Sequence, residues 1–130
     1  MTNNLEILKF SPNERVITQG EKADKAYMVL SGKVRVYLEE GSKIVELAEL
    51  GEDQIFGESS IFSDMPYGAN VDAVEDSELY VITPDALTEM MQDADPILRA
   101  MVQMLIERLK KTNEALLKSE TREYIDVALI

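Results

Sequence analysis

From residue 15 to residue 82 the chain is divided into short apolar-alternating segments by turn residues. Arg15-Val16-Ile17-Thr18 is stopped by Gly20, and residues 27–30 by Ser31-Gly32. In residues 33–38, Val34, Val36 and Leu38 lie on one face and the charged Lys33 and Arg35 on the other, the period-2 pattern of a half-buried strand. Gly41-Ser42 turns the chain into residues 44–50, which Gly51 ends. Residues 70–74 and 78–82 form two more such segments around Glu75-Asp76-Ser77. Strands at roughly 8–12 residue spacing with turn residues between them predict a sandwich or barrel. Residues 5–10 are expected to be a helix or turn packed against it.

After residue 82 the pattern becomes helical. Thr83-Pro84-Asp85 opens a short helix, with Thr83 able to cap it and Pro84 suited to the first helical position. Asp93-Ala94-Asp95-Pro96 punctuates, and Asp95 with Pro96 repeats the same signal before a helix from 96 to about 119.

Composition excludes several kinds of function. The 130 residues contain no His and no Cys, which removes imidazole bases, thiol nucleophiles, disulfides and the usual zinc ligand sets. An enzyme is not expected, nor a metal or other cofactor. The net charge of −12 opposes a nucleic-acid surface, since phosphate neutralisation needs clustered cations. The basic cluster of Arg108, Lys110 and Lys111 has Glu107 and Glu114 beside it and reads as a solvated helix face. No helix-turn-helix module is expected after the long helix. The longest apolar run, residues 26–30, is far too short for a membrane span. MTNNLEILKF carries no secretory pattern, so a cytoplasmic location is expected.

Residues 56–73 read FGESSIFSDMPYGANVDA. The opening Phe56-Gly57-Glu58 and the closing Pro66, Gly68, Ala69, Asn70, Val71 and Ala73 resemble the phosphate-binding cassette of the cyclic nucleotide-binding domain family. Residues 17–21, Ala23-Asp24, 27–32, Gly51-Glu52-Asp53 and 73–82 are similar to the rest of that family's fold in the same order, so the resemblance covers nearly the whole chain. It implies a mainly β fold with C-terminal α structure in a single domain, 1–130. A β jelly-roll (double-stranded β-helix) barrel at about 10–82 is followed by a short helix and a long C-terminal dimerisation helix at about 84–119, then a tail at 120–130.

The resemblance also implies a ligand, cyclic AMP or cyclic GMP, and a site. Backbone N–H groups at Glu58, Ser59 and Ser60 would face the cyclic phosphate, as a helix N-terminus does through its orphan donors and dipole. Gly57 would permit close approach, and Glu58 would accept the ribose 2′-hydroxyl. The plainer reading is that Glu58 only complements the helix dipole. Phe56, Tyr67, Gly68, Ala69 and Asn70 complete the cassette, and Thr112 and Asn113 stand where the catabolite activator branch contacts the base.

One position departs from the pattern. Where the family places the arginine that pairs with the phosphate, this chain has Tyr67, a single neutral donor in place of a bidentate cation. Losing one partner of a buried charge pair costs about 2–5 kcal/mol. That corresponds to roughly a 30- to several-thousand-fold loss of affinity. Lys33 and Arg35 point away from the barrel interior by the strand alternation, and Asp64 and Asp72 would add repulsion near a phosphate. Two readings stand: a regulatory sensor domain that binds a cyclic nucleotide weakly or takes a non-standard ligand, or a homodimeric protein-interaction module with a vestigial pocket.

Leu98, Val102, Leu105, Leu109, Thr112 and Leu116 alternate spacings of four and three along the long helix, the seam of a coiled coil and the expected homodimer interface. Ile97, Met101 and Met104 form a second apolar set expected to cover the barrel. Thr112 is polar within the seam, a feature that also sets register. Met90, Met91, Met101 and Met104 read as core filling or as an adaptable surface for a protein effector. Residues 124–130 carry one charge in seven and are expected to pack on the dimer or on a partner protein.

Overall fold

The computed structural model describes residues 5–117, with their side chains except those of Ser63 and residues 113–117. Asn113, Leu116 and the tail at 120–130 therefore lie outside the described side chains.

Among the described residues there are eight strands: β1 (Ile7–Phe10), β2 (Arg15–Ile17), β3 (Ala26–Ser31), β4 (Val34–Glu40), β5 (Lys43–Leu50), β6 (Ile55–Phe56), β7 (Asn70–Ala73) and β8 (Ser77–Ile82). They form two four-stranded sheets, ordered β1-β8-β3-β6 and β2-β7-β4-β5, with every pairing antiparallel. First beside last and second beside seventh is the strand order of a jelly roll.

The register follows the alternation in the sequence. Val34, Val36, Leu38, Val71, Val29, Leu79 and Val81 all point into one core between the sheets, where Phe56 stacks on Tyr27 with ring centroids 5.4 Å apart. Residues 5–10 correct the expectation of a helix or turn. Ile7–Phe10 is a strand paired with β8, its Leu8 and Phe10 packed against the core while Ile7 and Lys9 face out. Four residues are too few for a helical and a strand period to be told apart. The two-residue β6 was likewise below the reach of pattern.

β4 and β7 also bury polar side chains on their outer face. Arg15 Nε meets Asp72 Oδ1 at 2.7 Å, Arg15 Nη1 donates to Asn70 Oδ1 at 2.9 Å, and Arg15 Nη2 donates to the Tyr37 hydroxyl at 2.9 Å. That hydroxyl donates in turn to Asp72 Oδ2 at 2.9 Å, and the Arg35 guanidinium lies 4.5 Å from the Tyr37 ring centre. The cluster ties β2, β4 and β7 together and keeps Arg35 and Asp72 engaged with each other, 3.5 Å apart, on the side of the sheet away from the core.

Three helices complete the structure: α1 (Glu58–Ser63), α2 (Pro84–Asp93) and α3 (Pro96–Leu117). Thr83 Oγ1 accepts from the Ala86 N–H at 3.1 Å, and Asp95 Oδ1 accepts from the Ile97 N–H at 2.8 Å, so both predicted caps are made. α3 leans on α1. The stripe it turns inward is Arg99, Val102, Ile106 and Leu109, all half-buried. Ile97, Met101 and Met104 do not cover the barrel; they are exposed together with Leu98 and Leu105. Of the predicted seam, Val102 and Leu109 lean on the chain's own domain, while Leu98, Leu105 and Thr112 face water. The helix carries apolar residues around more than half its circumference, and spacing alone does not say which stripe meets the barrel. No helix among the described residues is long and apolar enough to cross a membrane.

The turn between β3 and β4 depends on Gly32, whose φ is +94°. A Cβ there would collide with Ser77 Oγ and sit 2.5 Å from the Asp76 carbonyl. Gly32→Ala is expected to lose about 1–3 kcal/mol from the left-handed backbone alone, and more from the collision. Urea unfolding measures it, and an unchanged midpoint would contradict the account.

Candidate functional site

The cassette begins where β6 ends. Phe56 is fully buried, Gly57 takes φ +84° as the N-cap, and α1 starts at once. Gly57 is required here twice over: its backbone is left-handed, and a Cβ would press on the Lys25 carbonyl and on Ile17 Cδ1, each 3.2 Å away. Ser59 and Ser60 follow, both buried. After α1 the chain returns through Pro66, Tyr67, Gly68 and Ala69 into β7.

Between these pieces is a cavity of only about 10 Å³, roughly the room one water needs. Six of the predicted residues line it: Phe56, Gly57, Ser60, Tyr67, Gly68 and Ala69. Val71, part of the cassette pattern, and Ile17, read from sequence only as a strand residue, line it too. The lining contains no basic side chain.

Tyr67 forms one wall of this cavity. Its side chain is 8% exposed and packs in the hydrophobic core. Its hydroxyl donates to the Lys25 carbonyl at 2.5 Å and accepts from the Lys25 N–H at 3.1 Å. Its backbone is fixed as well: the Tyr67 N–H donates to Glu21 O at 2.9 Å, and the Gly20 N–H donates to Tyr67 O at 2.8 Å. The residue is thus fastened to the β2–β3 connection at both ends. Burial pushes its phenol upward, although the Lys25 peptide draws it partly back, and burial pushes the neighbouring Tyr27 up to about 12. Both are neutral at physiological pH.

Glu58 occupies the first turn of α1. Its Oε2 is buried and finds no hydrogen-bond partner among the described residues. Burial pushes its carboxyl above the usual range, and its own backbone N–H offsets this in part. An unpartnered acceptor in such a place suits a hydroxyl donor.

Glu58, Ser59, Asn70 and Thr112 are not among the residues that line the cavity. Asn70 is buried on the outer face, where its Oδ1 accepts from Arg15 and from the Gln19 N–H at 2.8 Å. Thr112 is exposed on α3. The Lys25 peptide, which holds the Tyr67 hydroxyl, was missed because a backbone partner leaves no side-chain signal.

Residues 7–94 match the profile of the cyclic nucleotide-binding domain. The chain belongs to that family. The domain is 28% identical over 118 residues to a CRP-like cAMP-activated global transcriptional regulator of Mycobacterium tuberculosis, covering 89% of this chain and 52% of that protein. It is 31% identical over 98 residues to the cGMP-dependent protein kinase of Eimeria tenella, covering 75% of this chain and 9% of the kinase. Among solved structures, the EAL enzyme Bd1971 in its half-site-occupied form matches with a TM-score of 0.81 and 28% identity, covering 84% of this chain and 98% of that one. The same enzyme is solved in cAMP-bound and cGMP-bound forms. The chain spans about half the length of the bacterial regulator and a small part of the kinase.

The raised Glu58 carboxyl sets a pH dependence. A carboxyl with a raised folded-state pKa supports folding at pH below its unfolded pKa, and the support is lost as pH rises through the folded value. Glu58→Gln removes that loss. The variant should be more stable than the natural chain at about pH 7, with the advantage shrinking toward about pH 4, as followed by urea unfolding. An advantage independent of pH would contradict the assignment.

Proposed function

We propose that this is a non-enzymatic regulatory domain that takes a cyclic nucleotide only weakly, or a less anionic ligand, because Tyr67 fills the place of the phosphate-binding arginine. The observation that carries the reading is the Tyr67 side chain packed in the core with its hydroxyl held by the Lys25 peptide. Entry of a phosphate would require breaking both hydrogen bonds and moving the ring, with no cation in the lining to compensate. The frame for a ligand supports the sensing role: Gly57 at the start of α1, and a buried Glu58 Oε2 with no hydrogen-bond partner among the described residues. Relatives carrying the domain include a cAMP-activated regulator and a cGMP-dependent kinase, and a regulatory role is inferred from them.

Tyr67→Arg tests this reading. The variant should gain affinity for cyclic AMP by roughly 30- to several-thousand-fold over the natural chain, read as a ligand-dependent rise in melting temperature. A folded variant with no gain would mean that the frame no longer serves a nucleotide.

A second reading is favoured by α3. Ile97, Leu98, Met101, Met104 and Leu105 are all more than half exposed on one helix. Such a surface fits the α3 of a second copy, giving a homodimer through which a protein effector is addressed. Replacing Met101 and Leu105 by Asp should convert a dimer to a monomer in sedimentation. A natural chain that is already monomeric at high concentration would remove this reading.

A further inference from the structure

A far larger concavity lies on the other side of α1. The groove between α1, α2 and α3 holds about 340 Å³, within the range of small-ligand sites. Ile61 and Phe62 of α1, Leu87 and Met91 of α2, and Ile106 of α3 line it, and each is only half-buried. These apolar groups retain contact with water that a fitting segment would remove.

We propose that residues 124–130 of the same chain dock in this groove. The segment reads YIDVALI, with one charge, and in an extended conformation Ile125, Val127 and Leu129 would fall on one side. It lies outside the described structure, but its reach can be reckoned from the end of α3. The eleven helical residues after Ile106 carry the chain about 16 Å away from the groove. The six residues 118–123, KSETRE, are polar enough to run through water and span about 20 Å when extended. The chain leaving Leu117 can therefore return to Ile106 with the apolar segment just beginning.

Tethering decides the occupant. A segment on a short linker is present at an effective concentration of about millimolar, so modest apolar contacts suffice to seat it ahead of a second copy or a free partner. Because Ile61 and Phe62 belong to α1, occupancy would link this segment to the helix that carries the cassette. The proposal is independent of the ligand reading and is tested without any nucleotide.

The chain has no cysteine, which makes disulfide trapping clean. Thr88→Cys and Gln103→Cys, residues of two groove walls, would each be paired with Val127→Cys in the full chain. The control is Glu40→Cys with Val127→Cys, since Glu40 ends β4 and is exposed. Circular dichroism would verify the fold of each variant. At least one groove pair should close an intramolecular disulfide on the order of tenfold faster than the control, and adding Leu129→Asp should slow it. Rates equal to the control in both groove pairs, or disulfides formed only between two chains, would overturn the proposal.

Discussion

The hydrogen bonds between the Tyr67 hydroxyl and the backbone of Lys25 fix this side chain in the wall of the candidate site. They join the return from α1 to the connection between β2 and β3. A buried phenol needs a partner, and this one is satisfied as donor and acceptor by one residue's backbone. The ring then completes the core beside Ile17, Phe56 and Val71. The cavity it borders holds only about 10 Å³.

β7 shows how the strand period sorts structure from site. Ala69, Val71 and Ala73 face the core, and the first two also line the cavity. Asn70 and Asp72 face the other way and are held with Arg15, Tyr37 and Arg35. Asp72 therefore adds no repulsion at the cassette, and Arg35 supplies no replacement cation there. The outer cluster ties β7 to β2 and β4.

Much of this was legible in the sequence. Alternation in residues 33–38, Gly32 at its turn, and Thr83 and Asp95 as caps follow from local chemistry, and each formed as read. Phe56-Gly57-Glu58 falls where β6 ends and α1 begins, with Gly57 at φ +84°. Three features were not legible for identifiable reasons. Ile7–Phe10 is too short for its period to show. The buried face of α3 depends on how the helix leans on α1, which its own spacing does not encode. The Tyr67 latch ends on a peptide group, and peptide groups are the same at every residue. Asn70 matched the cassette by position, yet its side chain serves the outer cluster, a consequence of strand parity once Val71 points inward.

We propose that Tyr67 closes the phosphate slot of an otherwise retained cassette. The most direct test is a calorimetric titration of cyclic AMP and cyclic GMP into the natural protein at low salt. The structure predicts no saturable heat at micromolar nucleotide and at most weak binding toward millimolar. Saturable heat at micromolar concentration would contradict it, showing that the Tyr67 side chain yields its place to the ligand.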